Sequence, residues 1–269
     1  MGISATEVKK LRELTSAGMM DCKKALIESN GDFEKAKLFL KEKGQSKADS
    51  KSGRTTAQGL VSIKVSIDNQ LAVILEVNCE TDFAAKDQQF IDFSNNILEL
   101  IIEGEIDDLD SLLSSSIKDF DTVQNYKTHV ISKLGENISL RRFDKVSIKG
   151  AVGSYIHADK IAAIALLDSD NEILAKDIAM HIAASNPNYI DQSEIPTELL
   201  KEESRILELQ AKEEGKPQEI IEKIVQGKLN KKMSQLTLLG QEFIKDPDIT
   251  IEQLLEDSDS KVDSFIRYE

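Results

Sequence analysis

Side chains able to do chemistry are scattered through this 269-residue chain rather than gathered. Its three histidines are His129, His157 and His181, and none has another His or Cys at metal-ligand spacing. His129 and His181 fall on predicted helices and His157 at a strand end. Each reads as a half-exposed structural histidine. His181 is the best placed to present a polar head, because Met180-His181 adjoins the small-residue run Ile182-Ala183-Ala184. Cys22 and Cys79 lie far apart among patterned apolar residues, which points to buried free thiols in a reducing compartment. There is no Gly-x-x-x-x-Gly-Lys phosphate loop and no Gly-x-Gly-x-x-Gly fingerprint, and Gly53-Arg54 cradles nothing. Carboxylates are plentiful, but Asp107-Asp108-Leu109-Asp110 and Glu202-Glu203 read as solvated surface. The inventory nominates no catalytic residue, no metal site and no cofactor, so the expectation is a protein that is not an enzyme.

One run stands apart. Leu71-Ala72-Val73-Ile74-Leu75 ends an apolar strand, and Val77-Asn78-Cys79-Glu80-Thr81-Asp82-Phe83-Ala84-Ala85-Lys86 then sets an acid beside an aromatic just before a helical pattern. Two readings of Asp82-Phe83 are open from the local pattern. Asp82 as an N-cap with Phe83 plugging the core is the commoner fate of a large aromatic. The other reading presents the ring to a second molecule, since an exposed ring without a receiver costs stability.

The elements that must position these residues follow from composition and period. Apolar residues make up 40% and charged residues 30%, an ordinary globular balance. Trp is absent and aromatics are 5%, so aliphatic side chains must fill the cores. A net charge of -14 argues against direct nucleic-acid binding, which rests on Lys and Arg meeting phosphates. It leaves protein partners open, because interfaces depend on local patches. Met1-Gly2-Ile3-Ser4 carries no secretory pattern, and no apolar stretch approaches the ~20 residues of a membrane span, so a cytoplasmic protein with no membrane partner is expected.

The predicted fold class is α+β. Residues 1–44 form three short helices. Ser4-Ala5-Thr6-Glu7 has capping-box form, Gly18 breaks the first helix, Asp32 caps the third, and Gly44 ends it. Residues 45–56 have little to bury and read as a tether. Residues 57–143 and 144–269 each run strand, turn, strand, helix, which predicts two related α+β units. Ile138 to Phe143 offers a further strand to either unit, and Lys261 to Tyr268 a strand to close the second sheet. Val123, Tyr126, Val130 and Leu134 mark a helix ending at Gly135, where a left-handed cap fits. Between about 196 and 233 two narrow apolar stripes, parted at Gly215-Lys216-Pro217, predict an antiparallel helical hairpin.

Several motifs resemble one family in register. Thr15-Ser16-Ala17-Gly18-Met19-Met20-Asp21-Cys22-Lys23-Lys24-Ala25-Leu26 is similar to the N-terminal signature of bacterial elongation factor Ts, and Leu75 to Lys86 resembles its second signature, with Ala84 where Val is more frequent. Leu134-Gly135-Glu136-Asn137-Ile138 and His181-Ile182-Ala183-Ala184-Ser185 match further segments. The resemblance implies a ubiquitin-associated-like three-helix domain, a tether, and a core of two related subdomains with the hairpin inserted in the second. It implies guanine-nucleotide exchange on elongation factor Tu, GDP-bound and nucleotide-free, by a monomer or a homodimer within the complex. Thr81, Asp82, Phe83 and Ala84 would disturb the partner's magnesium site. Leu134 and Gly135 would approach its phosphate loop, with Glu136, Met19, Met20 and His181 as further contacts. Family members often continue past the strand matching Phe265-Ile266-Arg267-Tyr268 into a C-terminal helical module, whereas this sequence stops at Glu269. The competing reading is a scaffold or ubiquitin-like-binding module, which requires Asp82-Phe83 to be buried.

Overall fold

The computed structural model describes residues 3–15, 17–213 and 217–269, with backbone alone for 218–220. The chain divides into two compact units, one made of residues up to Ser66 with Val73–Val146, the other of Ile67–Ala72 with Ser147–Glu269. Both mix helices with small sheets, as an α+β chain must.

The first unit begins with α1 (Ala5–Thr15), α2 (Met19–Glu28) and α3 (Phe33–Asp49). Ser4 and Glu7 form the reciprocal cap that starts α1, with bonds of 2.7 and 3.2 Å between each backbone N–H and the other's side chain. Asn30 and Gly31 take positive φ in the next turn, and the Asp32 carboxylate accepts from the Glu34 and Lys35 amides to start α3. Val8, Leu11, Cys22, Ala25, Leu26 and Ala36 bury against one another at the centre. Then follow β1 (Gln58–Val65), β2 (Leu71–Cys79), α4 (Asp82–Ala85), α5 (Gln88–Glu103), α6 (Leu109–Ser114), α7 (Val123–Leu134) and β3 (Ile138–Ser147). The three strands order as β1-β2-β3, so the strand at Ile138 belongs to this sheet. The α5 side chains of Phe90, Phe93, Ile97 and Ile101 are fully buried at helical spacing.

The expected stop at Gly44 is wrong. α3 runs through it to Asp49, so the tether expected from residue 45 begins as helix. Gly44 is buried in mid-helix, and a Cβ there would make only ordinary contact, 3.9 Å from Ser132 of α7, so the residue neither caps α3 nor is required by its packing. Gln45 and Thr128 bond at 3.4 Å and Ala48 is buried, so these residues have tertiary partners that a polar-looking string does not announce.

The second unit holds β4 (Val152–His157), β5 (Ile161–Leu167), α8 (Glu172–Ser185), α9 (Thr197–Glu213), α10 (Gln218–Leu236), β6 (Glu242–Phe243), β7 (Asp246–Thr250), α11 (Ile251–Asp257) and β8 (Val262–Tyr268). β5 lies between β4 and β8 and is antiparallel to both. In each unit two consecutive strands are joined by a late strand that pairs with the second of them. The sequence reading did not include the short β6–β7 pair, whose two-residue β6 carries no periodicity. Alanines 163, 165, 175, 179 and 183 fill much of the core. Such small side chains let α8 press onto the sheet at Gly153, where a Cβ would sit 1.9 Å from the Ala175 carbonyl oxygen. α9 and α10 pack through Ala211, Ile221 and Val225, and Glu203 pairs with Lys232, which makes the two helices antiparallel. The expected turn at Gly215-Lys216 lies outside the described residues.

His129 of α7 tests how the first unit responds to acid. Burial, with Lys133 nearby, pushes its pKa down to about 4. The unfolded chain takes up that proton near pH 6.5, whereas the folded chain does not. The contribution is therefore complete above about pH 6.5 and is lost as pH falls towards about 4, by at most ~1.4 kcal/mol per pH unit. Urea titrations at several pH values should show this fall. A Gln at position 129 should flatten it, and an unchanged slope would remove His129 as its source.

Candidate functional site

β2 ends at Cys79, and the chain turns directly into α4, whose four residues begin Asp82-Phe83. Thr81, not Asp82, is the N-cap. Its hydroxyl accepts from the Ala84 amide at 3.2 Å, leaving Asp82 in the first turn, where a carboxylate suits the helix dipole. The Asp82 side chain pairs with Lys86 at 3.2 Å and is half exposed. Ala84 faces inward and is buried, so the neighbouring ring is turned the other way. Phe83 is 82% exposed, whereas Phe90 and Phe93 a few residues later are fully buried. The reading of Asp82 as a cap with Phe83 as a core plug is thereby overturned, and with it the requirement of the scaffold alternative.

A second segment reaches this turn from α7. Gly135 ends that helix with φ +78°, a left-handed conformation that suits glycine, as the spacing predicted. The chain leaves it towards Glu80 and Thr81. The Glu136 carboxylate accepts from the Thr81 amide at 3.0 Å and from the Thr81 hydroxyl at 2.6 Å. In the opposite sense, the Glu80 carboxylate accepts from the Asn137 amide at 2.6 Å and from Arg54 at 3.4 Å. Those two donors hold the Glu80 carboxyl below the usual carboxylate range, the Asn137 amide being the stronger influence. The Asn137 side chain donates to the Ser52 and Arg54 carbonyls, and the Lys51 ammonium to the Gly135 carbonyl. Below the turn, Cys79 donates to the Thr81 carbonyl oxygen at 3.2 Å. Burial, and then the Glu136 charge, push this thiol up to about 11, so it stays protonated at neutral pH.

Thr81, Asp82, Phe83, Ala84, Leu134, Gly135 and Glu136 therefore share one corner of the first unit. Met19 and Met20 lie in the first turn of α2, 48% and 74% exposed. His181 is different. It is fully buried in the second unit, neither half-exposed nor presenting a polar head. Its Nδ1 accepts from the Ile244 amide at 3.3 Å, which puts the proton on Nε2, where it is donated to Gln241 Oε1 at 2.8 Å. Burial lowers its pKa, so the ring is neutral and structural. His181 shares the buried face of α8 with Ile178, Ile182 and Ala183, whereas Ala184 beside it is exposed, so the small-residue run did not mark which way the ring points. Glu80, Asn137, Arg54 and Lys51 are the residues that sequence reasoning did not single out. Glu80 and Asn137 stand inside the quoted motifs, but their pairing spans 57 positions and has no local signal.

The corner offers a projecting ring, a half-exposed acid and a firm base, which suits contact with a macromolecule better than bond-making. Among the described residues, no group of His, Cys, Asp and Glu side chains is placed to hold a metal ion, and no helix is long and apolar enough to cross a membrane. Comparison with known proteins gives the lineage. The family described as Elongation factor TS matches residues 80–269. An elongation factor Ts of Hydrogenovibrio crunogenus is 43% identical over 269 residues, covering all of this chain and 92% of that protein. Those of Thioalkalivibrio sulfidiphilus and Legionella pneumophila are 45% and 43% identical, with 92% and 91% of their lengths covered. With the signature turn and its α7 counterpart both in place, this chain belongs to the elongation factor Ts family and is a translation elongation factor.

Proposed function

We propose that this protein is a guanine-nucleotide exchange factor for elongation factor Tu in the cytoplasm, acting without covalent chemistry. The observation that carries the reading is Phe83, a ring 82% exposed on a capped turn. Asp82 and Phe83 enter the partner's nucleotide domain and disturb its magnesium site, while Leu134 and Gly135 approach its phosphate loop. Losing magnesium removes charge compensation from the phosphates, which weakens the hold on GDP. Linkage sets the direction: a protein that binds the nucleotide-free partner better than the GDP-bound one must lower GDP affinity by the same factor. Nucleotide concentrations then decide which nucleotide is reloaded. In this reading α1–α3 form a ubiquitin-associated-like domain that docks the partner through Met19 and Met20. The two strand-helix units are related subdomains, and α9–α10 is the hairpin inserted in the second.

The test is release of labelled GDP from elongation factor Tu, with excess unlabelled GDP as acceptor. The native chain is expected to speed release by about a hundredfold, the upper part of the ordinary range for two linked sites. No acceleration at concentrations that form a complex would reject the assignment.

A further inference from the structure

The two carboxylates that cross between the turn and the α7 loop are the least expected part of the corner. Both oxygens of Glu136 are used inside the chain, one on the Thr81 amide and one on its hydroxyl. That hydroxyl spends its proton on Glu136 and a lone pair on the Ala84 amide, so a single group carries both the cap of α4 and the connection to the loop. Glu80 and the Asn137 amide make the reciprocal tie. Hydrogen bonds to an ionised carboxylate are stronger than neutral ones, and two of these are 2.6 Å long. α4 itself has four residues, too few to hold its own shape in water.

We infer that Glu136 is a positioning residue rather than a partner contact: it clamps Thr81 so that the Phe83 turn and the Leu134-Gly135 loop meet the partner as one rigid body. The inference rests on the exchange reading for what the clamp serves, but the clamp itself is a property of the free chain. A four-residue turn that had to be ordered during insertion would charge its ordering entropy to that step. Encounter with the GDP-bound partner, which precedes insertion, would be spared. The clamp therefore acts on the maximal rate of GDP release more than on the concentration needed for half of it.

Two measurements on the full-length chain test this. In the free protein, Glu136→Ala should speed amide hydrogen exchange at Ala84 by about tenfold, the scale set by losing bonds to a charged group, with α5 amides unchanged. In GDP release, Glu136→Ala should lower the maximal rate by about tenfold and move the half-saturating concentration by less than about twofold. Glu136→Gln, which keeps a carbonyl oxygen for one Thr81 donor but loses the charge and the second acceptor, should recover only part of the rate. Native-like exchange at Ala84 overturns the clamp. So does a loss confined to half-saturation, as a direct contact would give. If the native chain fails to accelerate release, the exchange reading falls, and hydrogen exchange at Ala84 alone still decides the clamp.

Discussion

Phe83→Ala is expected to lower accelerated GDP release by roughly 30-fold or more while leaving the fold intact. A central aromatic in a protein interface contributes about 2–4 kcal/mol, and each 1.4 kcal/mol is a factor of ten. The loss is bounded below by the spontaneous release rate, so the native acceleration caps the observable ratio. Stability should move by less than about 0.5 kcal/mol, because the ring is 82% exposed and makes little of the core. The same exchange at Phe93, fully buried in α5, should instead cost about 3–5 kcal/mol. Release kinetics with denaturant unfolding on both variants separate the two roles. If Phe83→Ala accelerates release as well as the native chain, the ring is not the wedge.

Gly153→Ala should be the most damaging small substitution in the second unit. The added Cβ would meet the Ala175 carbonyl oxygen at 1.9 Å, its carbon at 2.0 Å and the Lys176 nitrogen at 2.5 Å. All three are backbone atoms of α8, so no side chain can swing aside, and β4 must part from the helix. Overpacking of this kind costs about 1–3 kcal/mol and here should reach or pass the upper end. Gly227→Ala gives the opposite sign. That glycine lies within α10 with nothing within 4 Å of its Cβ position, so alanine should add up to about 1 kcal/mol of stability from helix propensity. Urea midpoints of the two variants, read by circular dichroism, should move in opposite directions. A Gly153→Ala protein as stable as native would mean that α8 and β4 are not held this closely.

Much of the local architecture was legible because it is written in short-range chemistry. The Ser4–Glu7 box, the Asp32 cap and the left-handed Gly135 are local hydrogen-bond and φ requirements, readable within four residues. Strand and helix periods in both units, and the strand at Lys261 to Tyr268, follow from which side chains can leave water. Gly44 was misread for the same reason. A glycine near the end of a pattern looks like a stop, but α3 continues through it to Asp49, where Ala48 is buried.

The sequence by itself determined the element types and, through several motifs in register, the family. For Phe83 the local pattern favoured a core plug, and only the family resemblance pointed to a presented ring. The tertiary structure decided that by turning Ala84 inward and Phe83 out, and by bringing Glu136 and Asn137 to Thr81 and Glu80 across more than fifty residues. It also moved His181 from an expected surface to a closed core. The physical reason is common to all three. Burial and charge pairing are properties of neighbours in space, and a residue's neighbours in the chain constrain only its backbone.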